Sequence, residues 1–495
     1  MKASKTAIGF LVLAALSASG FAQKTPYNIE HFGAVGDSVT LCTDAINKSI
    51  ETCSSNGGGL VIIPAGTFVS GTIQMRNNVE LHLQTDATLL ASDHQEDFPR
   101  QSQPAFRSQK DPGGWFSLIY AEKASNIAIT GHGTIDGNGY RQKPRGKDDE
   151  GDKDGRTRNI LFISCDHIRI EGIRMINSGI WNQHYLDCED IIIDRTEVYN
   201  HSNWNNDAID LDCCRRVTLS NSIFDTDDDG ITLKSTGAKP CEDIVITNCV
   251  VSSFCNAIKA GTESTGGFRN ITVSNCVIKP SREPVLINGC LEGITGISLE
   301  IVDGGIMESI SINNVVIEGT QCPLFIRLGN RARKHTALAP EPPLGKMRNI
   351  NISNITAYHT GNFSNSITAI PGSYIENVTL NNIQLFNTGG LKTGEYIALA
   401  DGVKEDEKGY PQPTVWGNLP SSVWFIRHVK NLIMNNLIFG SETIDPRIPI
   451  IAIDVKNISI KNSIYTGNSA AASYVFLNHV EGYEIEEPLG WKKQH

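Results

Sequence analysis

Two short stretches decide the fold: Asn-Asn-Asp-Ala-Ile-Asp-Leu-Asp at residues 205–212, and Asp-Asp-Asp-Gly-Ile-Thr-Leu-Lys at residues 227–234. When they are aligned, Asp207 falls beside Asp229, and a third stretch, Cys-Asn-Ala-Ile-Lys-Ala-Gly at residues 255–261, fits the same frame. The alternating apolar residues predict strands, and strands in register predict successive rungs of one parallel sheet, roughly 4.8 Å apart. Carboxylates at equivalent places would then crowd one patch, which is costly unless it serves a function.

A short motif recurs along the chain, in which a polar residue, most often Asn or Asp, precedes alternating apolar residues. Copies begin at Asn126, His167, Asp190, Arg216, Asp243, Asn270, Ser309, Asn349, Asn377, Asn431 and Asn457. Several spacings are about 23–28 residues, a period that is typical of solenoids. Because no helices separate these strands, the pattern predicts an all-β parallel β-helix. A leucine-rich repeat is the rival solenoid, and the absence of a Leu-rich consensus argues against it.

The N-terminus is typical of an exported protein. Lys2 and Lys5 precede an apolar run, and Gly20-Phe21-Ala22 suits a signal peptidase. We therefore predict a signal peptide at residues 1–22 and one mature catalytic domain at residues 23–495, periplasmic or secreted and monomeric, without a membrane span. A net charge of −11 argues against a nucleic-acid partner.

The ends and sides of the solenoid also have signals in the sequence. Within an N-terminal cap region at residues 23–95, Thr43 is the predicted N-cap of an amphipathic helix over residues 44–51. Asn-Gly-Gly-Gly at residues 56–59 would end this helix, which would cover the open end of the solenoid. Residues 329–346 and 401–424 are predicted loops, inserted as walls of a binding cleft.

The 12 Cys favour packing over chemistry. Cys249 and Cys276 occupy matching places in two repeats, which is typical of small buried residues in a stack. A disulfide framework is the alternative, with Cys213–Cys214 or Cys42–Cys53 as pairs. No zinc spacing is present, and we expect neither a metal nor a cofactor. Calcium at the carboxylates remains the rival interpretation.

The chain resembles the polygalacturonase-like glycoside hydrolases of family 28 over nearly the whole mature length. The stretches that carry the resemblance are 31–37 (His-Phe-Gly-Ala-Val-Gly-Asp), 57–68, 130–137 (Thr-Gly-His-Gly-Thr-Ile-Asp-Gly) and 177–184 (Asn-Ser-Gly-Ile-Trp-Asn-Gln-His). The family's Asn-Thr-Asp motif matches Asn205-Asn206-Asp207, and its paired aspartates match Asp228 and Asp229. The resemblance implies a single-stranded right-handed parallel β-helix of the pectin-lyase-like kind, with an N-terminal capping helix.

Two departures from the family pattern concern the substrate. Asn256 stands where the family has the His of Gly-His-Gly, and Ser298-Leu299-Glu300 stands where it has Arg-Ile-Lys. The family's Arg and Lys are expected to hold the carboxylate of the substrate, so their loss favours a non-standard pectic unit, such as a rhamnogalacturonan linkage or a neutral or modified sugar. Arg327 or Lys259 would supply a cation from elsewhere.

The carboxylates suit acid/base hydrolysis of an α-linked glycosidic bond in a pectic galacturonan or rhamnogalacturonan. Asp228 is the expected general acid, with a pKa raised by its like-charged neighbours, and Asp207 and Asp229 would position and activate the water. The resemblance implies the same assignment and inversion of configuration. The long loops favour an exo-acting pocket.

Further residues are candidate substrate contacts. These are Asn205, Asn256, Lys259, Lys234, His184, Trp181 and Arg327. Lys234 aligns with Asp212, which favours a structural ion pair over a substrate contact, and Trp181 and His184 are alternatively packing residues. Two other functions stay open: a polysaccharide lyase on the same fold, which would need calcium and a base, and a carbohydrate-binding solenoid without catalysis.

Overall fold

The computed structural model describes residues 26–106, 115–142, 155–467 and 469–492. The predicted signal peptide lies outside these residues.

The described chain contains one α-helix and 34 strands. The helix is α1 (Thr43–Ser55), and the strands up to the catalytic motifs are β1 (Tyr27–Asn28), β2 (Asp37–Leu41), β3 (Gly59–Ile63), β4 (Gly66–Ser70), β5 (Ile73–Gln74), β6 (Val79–Leu83), β7 (Ala87–Ala91), β8 (Ser117–Glu122), β9 (Ser125–Gly131), β10 (Thr134–Asp136), β11 (Arg158–Ile163), β12 (Asp166–Glu171), β13 (Arg174–Ile176), β14 (Gln183–Leu186), β15 (Glu189–Asp194) and β16 (Glu197–Asn200).

The strands from the first catalytic motif onward are β17 (Ile209–Asp212), β18 (Arg215–Ser220), β19 (Ile223–Thr226), β20 (Ile231–Ser235), β21 (Cys241–Thr247), β22 (Val250–Ser253), β23 (Asn256–Ser264), β24 (Phe268–Ile278), β25 (Thr295–Ile301), β26 (Ile306–Glu318), β27 (Cys322–Leu328), β28 (Lys346–Thr360), β29 (Asn365–Thr368), β30 (Ile375–Gly389), β31 (Ser421–Thr443), β32 (Ile448–Lys461), β33 (Ile464–Tyr465) and β34 (Val475–Ile485).

Each strand pairs in parallel with the strand one coil further along the chain, which makes a right-handed parallel β-helix. In the first face, β14 pairs with β17, β17 with β20 and β20 with β23. In the second, β15 pairs with β18 and β18 with β21. The predicted fold class and the register of the two opening stretches, Ile209 beside Ile231, are confirmed.

The recurring polar residue of the repeat has a conformational reason. All eleven predicted motif starts have a positive φ, from 54° at His167 to 62° at Asn457. Asn and Asp tolerate this left-handed region better than other residues with a side chain. The motif therefore marks the bend that turns the chain into the second face, and several of the Asn side chains also bond to the Asn one coil away, as Asn377 does to Asn349.

The core is a continuous apolar column inside the solenoid. One row of in-register partners runs Ile127, Ile168, Ile191, Val217, Ile244, Ile271, Ile310, Ile350, Val378, Leu432 and Ile458, and all are buried. Burial of each such side chain contributes about 1.5–3 kcal/mol. These stacked rows hold the coils in register and so fix the positions of the outward side chains.

The predicted capping helix is present as α1, which packs against β3, β5 and β6 at the N-terminal end. The predicted role of Thr43 as N-cap is wrong, because Cys42 occupies that position without a side-chain hydrogen bond. The Thr43 hydroxyl instead accepts a bond from the backbone N–H of Gly71 at 2.7 Å, which ties the helix to the turn after β4.

The remaining expectations about the chain can be compared directly with the structure. All 12 Cys are free thiols, and all except the half-buried Cys290 are buried, so packing in the stack is the role that fits. Residues 329–345 contain no strand, and residues 401–420 contain only short 3-10 turns. Within the described residues, no helix is long and apolar enough to cross a membrane.

Candidate active site

The candidate site is built from turns that stack on one another just before β17, β20 and β23. The N–H of Ala208 donates to the carbonyl of Asp229 at 3.0 Å, and the N–H of Gly230 donates to the carbonyl of Asn256 at 2.8 Å. The apolar rows inside the solenoid hold these turns in register. Asp207 and Asp229 therefore occupy equivalent places on neighbouring rungs, and Asn256 follows on the next.

Asp207, Asp228 and Asp229 form one carboxylate cluster. One oxygen from each lies within 4.8 Å of one oxygen of the other two. Asp207 and Asp229 are 3% and 4% exposed, whereas Asp228 is only half-buried. Asp228 is thus the member that a leaving-group oxygen reaches most easily.

The environment favours protons on this cluster. Burial raises the pKa of Asp207 well above its ordinary value, and the charges of Asp210, Asp228 and Asp229 raise it further. Burial also raises the pKa of Asp228, followed by the charge of Asp229. Burial is the leading cause of the raised pKa in both Asp207 and Asp228. The predicted direction of the shift at Asp228 is therefore right, but like charges, the cause given for it, are the smaller contribution.

Asp229 is held by fixed donors on both of its oxygens. Oδ1 accepts from the Asn256 side chain at 2.6 Å and from its backbone N–H at 3.2 Å. Oδ2 faces the Lys259 ammonium at 3.1 Å. Asn256 is itself oriented by the hydroxyl of Thr295 at 2.6 Å. By contrast, no donor among the described residues reaches Oδ1 of Asp207, so this buried oxygen is open to a water or a substrate group.

Lys234 belongs to a buried ionic network next to the cluster. Its ammonium lies 3.4 Å from Asp210 and 3.4 Å from Glu263. The predicted ion pair between Lys234 and Asp212 is wrong, although the two residues are neighbours in register: Asp212 accepts hydrogen bonds from Thr236 instead. Burial raises the pKa of Asp210 to about 7 despite the nearby Lys234 charge.

Trp181 and His184 lie under the site and not on its surface. His184 is fully buried, with Nε2 at 3.4 Å from Asp212 and its ring edge-on to Trp181. Trp181 is 4% exposed, and its ring carries the cations of Lys234 at 4.7 Å and Arg158 at 5.0 Å. These contacts cover the ring faces that a sugar would need, so the predicted sugar contact is corrected to packing beneath Lys234.

The two remaining predicted contacts have different surroundings. Asn205 is half-buried at the turn before Asp207, where its side-chain oxygen accepts from Arg156 at 3.5 Å. Arg327 is 1% exposed, and its guanidinium donates to the carbonyls of Ala369 and Glu405 at 3.0 and 2.6 Å. The donors of Arg327 thus anchor the 401–424 insertion, and the prediction of a substrate contact at this residue is corrected accordingly.

The structure brings in residues that the sequence analysis did not single out. Tyr410, from the 401–424 insertion, places its hydroxyl 3.2 Å from the Lys259 ammonium. Arg331, from the other insertion, donates to Asp303 and to the carbonyl of Thr262 and lies 5.9 Å from the Tyr410 ring centre. Asn288 donates to Asp228 at 3.0 Å. The sequence indicates the long non-repeating segments that carry these residues, but it does not indicate the residues themselves.

The stretch 298–300, which the sequence analysis aligned with the family's Arg-Ile-Lys, lies on the rung beyond Lys259. Ser298 lies beside Lys259 in register, one rung further on. Its hydroxyl donates to Glu300 at 2.6 Å, and both side chains are buried. Burial raises the pKa of Glu300 to about 7. Neither residue supplies a cation, and Lys259 is the positive charge closest to the aspartates on this side.

Comparison with known proteins supports the resemblance. Residues 53–398 match glycosyl hydrolases family 28, which covers most of the chain. The chain belongs to this family. A probable polygalacturonase from Vitis vinifera is 26% identical over 325 residues, covering 61% of this chain and 63% of that protein. An exo-poly-alpha-D-galacturonosidase from Dickeya chrysanthemi is 36% identical over 130 residues, covering 25% and 21%.

A solved structure agrees with the fold. The hyperthermoactive exopolygalacturonase of Thermotoga maritima superposes with a TM-score of 0.59 at 23% identity, covering 74% of this chain and 87% of that one. The two curated relatives above are matched over less than two thirds of their own length. Family membership and the β-helix are therefore established.

Proposed function

We propose that the protein is an exported glycoside hydrolase that cleaves α-linked galacturonosyl bonds at the ends of pectic chains. The observation that carries this proposal is the cluster of Asp207, Asp228 and Asp229 on stacked turns, in a member of family 28. Export is supported by the signal-peptide pattern at residues 1–22, and pectic substrates by the activities in the names of the relatives.

In this mechanism Asp228 is the general acid. Its raised pKa keeps a proton available at pH values where an isolated Asp is ionised. Asp228 passes that proton to the glycosidic oxygen as the bond from that oxygen to the anomeric carbon breaks. A water oxygen attacks the same carbon, and its proton passes to the remaining carboxylates.

Asp207 and Asp229 share the task of binding and activating that water. Asp229 accepts three fixed bonds, one of them from the buried Lys259 ammonium, so it is a poor nucleophile. Asp207 has the open buried oxygen that can take the proton. We propose inversion because the resemblance to family 28 implies it, with the open Oδ1 of Asp207 taking the proton of the attacking water.

Recognition of a uronate carboxylate is assigned to Lys259 and Tyr410. Although burial lowers it, the pKa of Lys259 stands well above its ordinary value because of the charge of Asp229 and its other neighbours, so the side chain stays cationic. Its ammonium has three donors, of which Asp229 and Tyr410 take two. We assign the third to the substrate.

Two insertions support an exo mode. The N–H of Asn330 donates to the carbonyl of Glu407 at 2.7 Å, which joins the 329–346 and 401–424 insertions. Together they bring Arg331 and Tyr410 against the rung that carries Lys259. A wall across the face of a solenoid limits the length of chain that can lie along it, which favours a pocket over an open cleft.

The test is product release from homogalacturonan and rhamnogalacturonan oligosaccharides, with wild type beside Asp228→Asn. We expect saturated monosaccharide from the first time point with wild type only. Release of oligosaccharides of several lengths would show an endo mode and contradict the exo mode. An unsaturated product would identify a lyase, and binding without turnover would identify a carbohydrate-binding solenoid.

A further inference from the structure

One fully buried carboxylate, Asp303, holds the first insertion (residues 329–346). Asp303 follows β25 and is 0% exposed. Its two oxygens accept from Nε and Nη2 of Arg331 at 3.0 and 2.6 Å, the bidentate arrangement of a guanidinium on a carboxylate. The backbone N–H, Nε and Nη2 of Arg333 add bonds of 3.0, 3.2 and 3.1 Å. Two adjacent cations of the insertion are thus clamped on one side chain.

This carboxylate belongs to a chain of buried charges that reaches the floor of the candidate site. Arg333 also donates to Glu263 at 2.8 Å, and Glu263 lies 3.4 Å from the Lys234 ammonium. Lys234 in turn lies 3.4 Å from Asp210. Although burial raises it, the pKa of Glu263 stands well below its ordinary value because of the charges of Lys234, Arg333 and Arg331. The chain is therefore ionised, and each of its carboxylates faces a cation.

The first insertion also supports the second insertion (residues 401–424). The N–H of Asn330 donates to the carbonyl of Glu407 at 2.7 Å. Three residues further on, Tyr410 places its hydroxyl 3.2 Å from the Lys259 ammonium. The part of the second insertion that touches the site is thus tied to the first insertion just beside the clamped arginines.

The beginning of the second insertion has anchors of its own. The guanidinium of Arg427 donates to the carbonyls of Val403 and Lys404 at 2.8 and 3.1 Å. Arg327 donates to the carbonyl of Glu405 at 2.6 Å. These bonds end before the stretch that carries Tyr410. Loss of the clamp should therefore move that stretch and leave the beginning of the second insertion in place.

We propose that Asp303 is a specificity-determining positioning residue, which confines cleavage to chain ends by clamping both insertions against the rung of Lys259. The inference rests on the proposed function, in which the insertions close a pocket. The strand of Lys259 pairs with the strand that follows Asp229, so the wall at Tyr410 stands one rung away, roughly 4.8 Å along the solenoid. A polysaccharide that continues in this direction meets the wall. With the clamp broken, the polysaccharide can pass and internal bonds come within reach.

The test compares wild type with Asp303→Asn and Arg333→Met on two homogalacturonan oligosaccharides of equal length, one with free ends and one chemically blocked at both ends. Wild type should release monosaccharide from the first and leave the second intact. Both variants should cut the blocked oligosaccharide at least roughly tenfold above the wild-type background, because removing one partner of a buried ion pair strongly destabilises the arrangement that it holds. Arg333→Lys keeps the charge without the planar fork and should restore part of the wild-type behaviour.

Arg348→Met is the matched control, because Arg348 pairs with Glu308 at 2.6 Å on the second face and its replacement should leave the blocked oligosaccharide intact. Thermal unfolding establishes that each variant is folded, and the Met and Lys variants of Arg333 decide the question if Asp303→Asn does not fold. Folded variants that act on the free-ended oligosaccharide and leave the blocked one intact overturn the inference alone. Cleavage of the blocked oligosaccharide by wild type overturns the exo mode and the inference together, and no cleavage of either substrate by wild type overturns the proposed function.

Discussion

Two faces of the same solenoid share the alternation of inward and outward side chains, but their outward rows differ in burial. On the second face, the outward row Ile192, Thr218 and Val245 is exposed. On the first face, the outward row Asp210, Thr232 and Lys259 is buried. Period two fixes the outward direction on both faces. What differs is the cover that insertions and turns provide, and that cover turns outward polar residues into a low-dielectric reaction site.

The largest expected effect is the loss of activity when the general acid on the first face is replaced. Asp228→Asn removes the proton donor and should lower kcat by about 10²–10⁴-fold, the usual contribution of a positioned acid. Steady-state kinetics on a pectic oligosaccharide measures it. Asp243→Asn is the matched control, since Asp243 is an exposed motif start that accepts from Asn270, and an Asn retains that acceptor. Equal losses in both variants would contradict the assignment.

Next in size is the buried ion pair. Lys259→Met leaves Asp229 buried without its cation, which should lower the free energy of unfolding by about 3–5 kcal/mol and abolish turnover. Urea unfolding gives the first quantity. Lys430→Met removes an exposed ion pair with Glu376 at 3.6 Å and should cost about 0–1 kcal/mol. The comparison fails if the two substitutions destabilise the protein equally.

Substitutions of two adjacent residues in one strand should differ in their effect on stability, because one side chain points into the core and the other points out of the second face. Ile244→Ala removes a buried member of the apolar row and should cost about 2–5 kcal/mol. Its neighbour Val245 is 41% exposed, and Val245→Ala should change stability by at most about 0.5 kcal/mol. Thermal and urea unfolding of the pair would reveal a reversed register if Val245→Ala proved the more damaging.

The dependence of kcat/KM on pH tests the protonation of Asp228. Asp228 must keep its proton to act, and its pKa is raised, so kcat/KM should persist above the ordinary Asp pKa of 3.8 and fall as the pH rises through the raised value. An alkaline optimum without such a fall would point to a base-initiated reaction instead.

The smallest expected effect is that of a chelator. Lys259 already neutralises Asp229 at 3.1 Å, and a divalent cation at the carboxylates would face that charge. EDTA treatment should therefore leave kcat within about twofold, well under the tenfold change that corresponds to 1.4 kcal/mol. Loss of activity with EDTA and recovery with calcium would establish a metal site at the three aspartates.

The sequence was sufficient wherever a feature repeats. The motif starts, the rungs and the stacking of Asp207 on Asp229 follow from alternation and from the tolerance of Asn and Asp for a positive φ. The partner of Lys234 did not follow, because the register shifts between β20 and β23: Leu233 pairs with Ala260, but Ser235 pairs with Ser264. That bulge brings Glu263 beside Lys234, and a fixed two-residue period does not reveal it.

The contacts of residues on the insertions could not be predicted from the repeat. Tyr410 reaches Lys259 across 151 residues of sequence, and Asn288 reaches Asp228 across 60. Their segments have no period that would place a side chain, so the sequence identified the insertions as loops without giving their contacts. Burial of Trp181 also depends on other rungs, since Arg158 lies on β11, which pairs with β14, and Lys234 lies on β20, two rungs beyond β14.

The most direct test of the central claim is proton NMR of the anomeric signal while wild type acts on an α-linked pectic oligosaccharide. We expect a saturated product that appears first as the β-anomer, and no product from Asp228→Asn. A product that appears first as the α-anomer would contradict inversion, and an unsaturated product would contradict hydrolysis at the three aspartates.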